Sequence, residues 1–211
     1  MDDVTRRGPN KLRAEATRRE LVAAARDLFL RDGYAATSPN DIAVACGVTK
    51  GALYHHFTTK TELLGAVVRL VQRELRAAVL AKASAAGDAW DRIEAGCLAY
   101  LDTVSATPGM HRLVYADAMA GLGWQRWREI DEQYWSRDLR AALTRVLGED
   151  STQIEPVAAI ILGTLTQVAA GLDHPGPDGL ASAGSVIRLL VSTLRIQQAP
   201  VTHPTRQVRQ P

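Results

Sequence analysis

The 211-residue chain has little cysteine, and this scarcity excludes several kinds of protein. Its two cysteines, Cys46 and Cys97, are too few for the disulfide framework of a small secreted domain. Neither has a second cysteine or a histidine at the spacing of metal ligands. We interpret both as small hydrophobic core residues, so the sequence predicts no metal site and no cofactor.

Long apolar runs are also missing from the sequence. The longest, from Val157 to Leu165, is interrupted by Gly163 and is far shorter than a membrane-spanning helix. The first residues, MDDVTRRGPNKLRAEA, have no apolar core, so we do not expect a signal peptide. These features predict a cytoplasmic protein that has no membrane partner.

Enzyme signatures are absent as well. The sequence has no phosphate-cradling glycine loop, no His-Glu-x-x-His motif and no Gly-x-Ser-x-Gly motif. His55 and His56 are adjacent, so on a helix their side chains diverge by about 100° and cannot share a metal ion. We therefore do not expect an enzyme.

The charge is mild overall but uneven along the chain. A net charge of +2 is too small to indicate a nucleic-acid partner, and 46% apolar with 23% charged residues is typical of a globular protein. The excess of positive charge lies in the first third, where six basic residues between Arg6 and Arg19 accompany one acid, Glu15. This basic segment precedes the most informative part of the sequence.

The segment TSPNDIAVACGVTKGALYHHFTTK, from Thr37 to Lys60, predicts two short helices joined by a glycine turn. Ser38 offers a hydroxyl N-cap, and Pro39 supplies the fixed φ favoured at the first helical position. Gly47 lies where the chain must turn sharply, and Thr49 caps the second helix. The pattern is that of a helix-turn-helix.

The exposed face of the second helix favours DNA as its partner. Leu53 and Phe57 point inward at i, i+4 spacing, and no acid occurs from Thr49 to His56. An ordinary αα-hairpin would expose a mixture of glutamate and lysine there. A helical ligand-binding or adaptor protein that uses the motif only for protein contacts stays as the alternative, but it leaves the acid-free face and the basic arm unexplained. The predicted exposed residues are Lys50, Gly51, Ala52, Tyr54, His55 and His56.

The same segment resembles a known family. GVTKGALYHHFTTKTELL is similar to the recognition-helix signature of the TetR family of bacterial transcriptional repressors, and TRRELVAAARDLFLRDGYAATSPNDIA resembles the helices that precede it. The match has no gap over about residues 13–68. It implies a homodimeric repressor that binds a palindromic operator and is released by a small apolar or aromatic effector. A relative without a ligand, or an activator, stays open.

The resemblance also implies roles for individual residues in binding double-stranded DNA. Residues expected to face bases are Lys50, Gly51, Ala52 and His55. Residues expected to hold phosphates are Ser38, Thr49, Tyr54, His56 and Lys60. Asn40 lies where the family sometimes contacts a base. In a dimer, two such helices would enter successive major grooves about 34–36 Å apart.

Hydrophobic periodicity is helical along the whole chain and predicts an all-α protein of nine helices. We expect a disordered basic arm at 1–12, a three-helix helix-turn-helix domain at 13–59, a helical effector-binding and dimerisation domain at 60–198, and a disordered tail at 199–211. Within the larger domain, a long helix starts at Lys60. Further helices are predicted at about 88–105, 109–120, 124–147, 152–172 and 180–196.

Aromatic residues concentrate between positions 90 and 135, which indicates either an effector pocket or an aromatic core. Large aromatics at helical spacing are more often core than ligand contacts, so both interpretations stand for each residue. The residues predicted to contact an effector are Tyr100, Tyr115, Asp117, Trp124 and Trp127.

The last two helices are apolar on more than one face, and such helices must be covered on all sides. A second subunit would supply the cover through an isologous four-helix bundle, although complete burial within one subunit is the alternative. The residues predicted at the dimer interface are Gly163, Val186, Leu190 and Leu194.

Overall fold

The computed structural model describes residues 3–170 and 177–198, with side chains placed for 11–169 and 181–196. These ranges form nine α-helices and no strand, which confirms the predicted all-α class. The helices are α1 (Asp3–Asp32), α2 (Pro39–Ala45), α3 (Lys50–His56), α4 (Lys60–Ser84), α5 (Ala89–Ala106), α6 (Ala118–Leu122), α7 (Trp124–Leu147), α8 (Ile154–Ala170) and α9 (Pro177–Gln198).

Local capping sets the bounds of α2 and α3. The Ser38 hydroxyl accepts a hydrogen bond from the Asp41 N–H at 3.2 Å, and the Asp41 carboxylate accepts one from the Ser38 N–H at 2.8 Å. This is a capping box, followed by proline at the first helical position. Gly47 has φ +66° at the turn, and the Thr49 hydroxyl accepts from the Ala52 N–H at 3.1 Å.

The first helix differs from the prediction. It begins at Asp3, so the arm expected to be disordered over residues 1–12 is helical from Asp3 onward. Local propensity does not explain this extension, because the added segment contains Gly8 and Pro9, the residue types with the lowest helix propensities. It ends at Asp32, before Gly33, whose φ is +92°. The predicted disordered tail, 199–211, lies outside the described residues.

One continuous hydrophobic core joins the three N-terminal helices, which we call the head, to the rest of the chain. Phe29, Leu53 and Phe57 are fully buried inside the head. Helix α4 follows directly and buries residues from Leu63 to Leu75, so its first turns pack on the head and its later turns pack on the C-terminal helices.

Helices α4, α5, α7 and α8 surround the centre of the C-terminal domain, and α9 packs on the outside of α5. The segment predicted as a regular helix over about 109–120 is instead a π-helical turn, Arg112–Asp117, that continues into α6. No helix in the described part of the chain is long and apolar enough to cross a membrane.

Candidate functional site

Helix α3 presents a polar, acid-free surface to solvent. Leu53 is fully buried and anchors the helix, while Tyr54 keeps 41% of its surface exposed. Lys50, Gly51 and His55 are exposed, and the Lys50 ammonium lies 5.9 Å from the centroid of the Tyr54 ring. The structure therefore places Lys50, Gly51, Tyr54 and His55 on one accessible face.

The remaining predicted DNA contacts surround this face. Thr49 and Asn40 are exposed, whereas Ser38, Ala52 and His56 are partly buried. The hydroxyls of Ser38 and Thr49 already cap α2 and α3, so any phosphate contact they make adds to a structural role.

Lys60, the first residue of α4, has partners within the chain. Its ammonium lies 4.2 Å from the centroid of the Tyr34 ring and donates a hydrogen bond to the Ala35 carbonyl at 3.4 Å. Partial burial lowers the pKa of Lys60 below its usual range. The phosphate contact predicted for Lys60 remains a prediction.

A cavity of about 470 Å³ lies between α4, α5, α7 and α8. Its volume falls within the range of small-molecule sites, and most of its surface is apolar. The apolar lining includes Val79, Ile93, Leu139, Ala142, Ile161 and Leu165.

Polar side chains from α4 and α7 form one wall of the cavity. Gln72, which is fully buried on α4 and does not itself line the cavity, accepts a hydrogen bond from the Trp135 indole N–H at 2.9 Å and donates to the Asp131 carboxylate at 3.5 Å. Arg76, one turn further along α4, donates two hydrogen bonds to Asp138, at 2.5 and 2.9 Å. Burial, followed by the nearby charge of Glu132, raises the pKa of Asp131 to about 6.

Of the five predicted effector contacts, the structure brings only Tyr100 to this cavity. Tyr115 is almost fully buried behind the wall, where its hydroxyl is hydrogen-bonded to that of Tyr100. Burial raises the pKa of both tyrosines, so both are neutral across the physiological range.

Trp124 and Trp127 also lie away from the cavity. Trp127 is buried and donates its indole N–H to the Val114 carbonyl at 2.8 Å, while Trp124 is 60% exposed on the outer surface. The aromatics of α7 are distributed around the helix, and Trp135 is the one that lines the cavity. Asp131 and Trp135, absent from the predicted set, share one face of α7 at i, i+4 spacing, and this is the signal that could have identified them.

Asp117 has a different role from the one predicted. Its carboxylate accepts a hydrogen bond from the Tyr34 N–H at 2.9 Å and lies 3.7 Å from Arg112 Nε. Arg112 in turn donates to the carbonyls of Phe29 and Leu30 at 3.0 and 2.8 Å. These bonds join the π-helical turn to the end of α1, so Asp117 fastens the head to the C-terminal domain.

The predicted dimer-interface residues divide into two groups. Gly163 is exposed with open space beside it, and Val186 keeps 51% of its surface exposed. Leu190 and Leu194 pack partly against the core of their own chain. Ile160, Leu189 and Ile196, which were not predicted, are also large apolar residues exposed on α8 and α9.

The cysteines and metal-binding candidates add no further site. Cys97 is buried, which raises its thiol pKa to about 12, and Cys46 is partly buried. Within the part of the chain that the structure describes, no three His, Cys, Asp or Glu side chains group together in a way that could hold a metal ion.

A three-helix head with an accessible, acid-free third helix, joined by a long helix to a cavity-bearing helical domain, defines a helix-turn-helix DNA-binding regulator. The profile of the bacterial regulatory proteins of the tetR family matches residues 21–67, and that of the tetracyclin repressor-like C-terminal domain matches residues 90–194. The chain belongs to the TetR family and is a transcriptional regulator with a DNA-binding helix-turn-helix.

Similar proteins agree with this assignment. The Tn10 TetC protein of Escherichia coli is 29% identical over 64% of this chain and 68% of its own length. The transcriptional activator FasR of Mycolicibacterium smegmatis is 33% identical, but the match spans 52% of this chain and half of FasR. A crystal structure of a TetR-family regulator from Pectobacterium atrosepticum has a TM-score of 0.72 and 30% identity, covering 87% of this chain and 96% of that one.

Proposed function

We propose that this regulator is a cytoplasmic homodimeric repressor that binds a palindromic operator and releases it when a small apolar or aromatic molecule enters the cavity. The observation that carries the proposal is that α4 extends from the DNA-binding head to the cavity. This helix starts at Lys60, separated from the recognition helix by three residues, and contributes Arg76 to the polar wall of the cavity, while its buried Gln72 holds Asp131 of the same wall.

DNA recognition is assigned to the exposed face of α3. Lys50, Gly51 and His55 are accessible there, and no carboxylate on the helix opposes a phosphate backbone. Small residues such as Gly51 let the helix backbone approach base edges, while Lys50 and His55 supply donors. Tyr54 lies at the side of this face, where its hydroxyl can reach a phosphate.

Dimerisation is assigned to the outer faces of α8 and α9. Ile160, Gly163, Val186 and Leu189 are exposed along these helices. A second copy would cover them through an isologous four-helix bundle, which would also supply the twofold symmetry that a palindromic operator requires.

The release of DNA on ligand binding is assigned to a movement of α4 relative to the head. A molecule between α4 and α7 can alter the Gln72–Asp131 and Arg76–Asp138 contacts that hold these helices together. The protein would have one arrangement that binds DNA and another that does not. The ligand lowers DNA affinity to the extent that its own affinity for the second arrangement exceeds its affinity for the first.

Footprinting and fluorescence anisotropy on the DNA that flanks the protein's own gene test this function. We expect a protected inverted repeat, and weaker binding for Tyr54→Ala and Lys60→Ala. For Lys60→Ala, the slope of log affinity against log salt should fall by about one unit. The matched control is Lys82→Ala, because Lys82 is an exposed lysine near the far end of α4.

Two results would reject the assignment. Unchanged affinity and salt slope for both head variants would remove α3 and Lys60 from the DNA contact. If the expression of a gene reporter falls, rather than rises, when the regulator is deleted, the protein is an activator and not a repressor. Melting temperatures of all variants show whether the head variants remain folded, since Lys60→Ala also removes the contact with the Tyr34 ring.

A further inference from the structure

The polar wall of the cavity contains one partly buried carboxylate that has no cation paired with it. The Asp131 side chain lines the cavity and is held by a single long hydrogen bond from the Gln72 amide. Among the described side chains, no lysine, arginine or histidine forms an ion pair with it. Burying an unpaired carboxylate is costly, as the raised pKa of Asp131 shows.

The other charged groups at the cavity are already satisfied. Asp138 also lines the wall, but its charge is balanced by the two hydrogen bonds from Arg76. Arg92 and Arg145 line the cavity with side chains that are exposed to solvent, so water stabilises their charges. A bound cation would therefore stabilise Asp131 more than any other charged side chain on this wall.

The surroundings of Asp131 favour a cation in a second way. Trp135 and Tyr100 pack edge to face, with ring centroids 4.9 Å apart, and both line the cavity beside it. Aromatic rings attract cations through the negative charge of their faces. Glu132, the next residue along α7, adds a further negative charge nearby.

We propose that the cavity binds an apolar or aromatic molecule that carries one protonated amine, and that this amine pairs with Asp131. The apolar part of the ligand lies against α5 and α8, which contribute Ile93, Ile161 and Leu165 to the lining. The proposal rests on the ligand-responsive function proposed above and specifies the charge of its ligand.

Pairing of the amine with Asp131 also couples ligand binding to the DNA-binding head. Gln72 lies on α4 and contacts both Asp131 and Trp135. A cation at Asp131 competes with the Gln72 amide for the carboxylate, so ligand binding is sensed directly by the helix that leads to the DNA-binding head.

Three probes that share one skeleton test the charge preference: 4-(1-naphthyl)butylamine, 4-(1-naphthyl)butanol and 4-(1-naphthyl)butanoate. Isothermal titration calorimetry at pH 7.5 measures their affinities for the full chain and for two variants. Asp131→Asn removes the negative charge of Asp131 and leaves the other charged side chains of the cavity in place. Glu129→Gln makes the same change on the exposed side of α7 and is the matched control.

For the wild type and Glu129→Gln, we expect the amine to bind at least tenfold more tightly than the alcohol, and the butanoate to bind most weakly. Asp131→Asn should lose this preference while keeping its affinity for the alcohol, which shows that the cavity remains folded. The amine should lower operator affinity for the wild type and not for Asp131→Asn.

The other outcomes distinguish a failure of the charge assignment from a failure of ligand-controlled DNA release. Equal binding of amine and alcohol, or tightest binding of the butanoate, overturns the charge assignment and leaves a ligand-responsive regulator in place. An absence of binding by all three probes overturns the inference as well. Amine binding that depends on Asp131 but leaves operator affinity unchanged supports the inference and instead rejects ligand-controlled DNA release.

Discussion

Asp117 and Asp131 have opposite surroundings, although both are acidic residues of the same helical domain. Asp117 accepts a backbone hydrogen bond from Tyr34 and lies beside Arg112, so its charge is stabilised and it holds the head in place. Asp131 is partly buried and has the Gln72 amide as its hydrogen-bond partner. The first carboxylate contributes to the fold, whereas the second weakens it unless a ligand compensates.

Replacing Asp131 by asparagine should therefore stabilise the protein in a pH-dependent way. The folded-state pKa, about 6, is above the ordinary value of 3.8, so the folded state binds more protons between these values. The contribution of Asp131 to stability falls as pH rises through this window. At pH 7.5, Asp131→Asn should raise the free energy of unfolding by about 1–3 kcal/mol, or roughly 2–10 °C in Tm.

At pH 4 the same substitution should have little effect, because Asp131 is then largely protonated. Thermal melts at both pH values, with Glu129→Gln as control, measure the difference. The groups that interact with Asp131 are Gln72 from α4, Tyr100 from α5, Tyr115 from the π-helical turn and Glu132 on α7. Arg76 and Asp138, which pair with each other, line the same cavity, as do Arg92 and Arg145. A Tm change that is equal at the two pH values would contradict the role of the Asp131 charge.

At the scale of single elements, the π-helical turn Arg112–Asp117 is the main departure from a regular helix. It places Arg112 on the carbonyls at the end of α1 and Tyr115 against Tyr100. Gly109 lies just before it with φ +77°, at a point where a Cβ atom would collide with the Leu30 carbonyl. The junction between α1 and the C-terminal domain thus depends on close backbone contact.

Gly109→Ala should lower the free energy of unfolding by about 3 kcal/mol or more. Backbone strain at positive φ and the collision with Leu30 both contribute to this loss. Gly123→Ala is the matched control, since Gly123 has φ +81° but no atom near the added Cβ. It should lose about 1–2 kcal/mol from strain alone. Chemical denaturation curves that show equal losses would mean that the contact with Leu30 is unimportant.

At the scale of the whole molecule, α8 and α9 leave apolar side chains uncovered in a single chain. Leu189 is 67% exposed and Ile160 is 50% exposed, which is unusual for leucine and isoleucine on helices that also bury Ile161 and Ile187. Both helices therefore have an inner face packed on their own domain and an outer face on which large apolar side chains are exposed.

Leu189→Glu should convert the proposed dimer to monomers and abolish binding to the proposed palindromic operator, while the melting transition of the monomer persists. The new charge would be buried in both copies of an isologous interface. Leu12→Glu, at a residue 68% exposed on α1, is the control and should remain dimeric. Size-exclusion chromatography with light scattering checks both. A Leu189→Glu variant that stays dimeric would place the interface elsewhere.

Sequence alone determined the features that depend on neighbouring residues. The bounds of α2 and α3 follow from Ser38 with Pro39, from the glycine turn and from the Thr49 cap, all of which act within four residues. The accessible face of α3 follows from the inward spacing of Leu53 and Phe57. These interactions are local, so the residues that make them can be identified in the printed sequence.

Tertiary structure decided which side chains meet across the domain. Trp127 and Trp135 have the same chemistry and lie on the same helix, but the packing of α7 directs one into the core and the other to the cavity. Asp117 finds its partner at Tyr34, 83 positions away. The rotation of a helix about its axis, and the contacts made between distant segments, result from the summed packing of all neighbouring helices, and no short stretch of sequence contains that information.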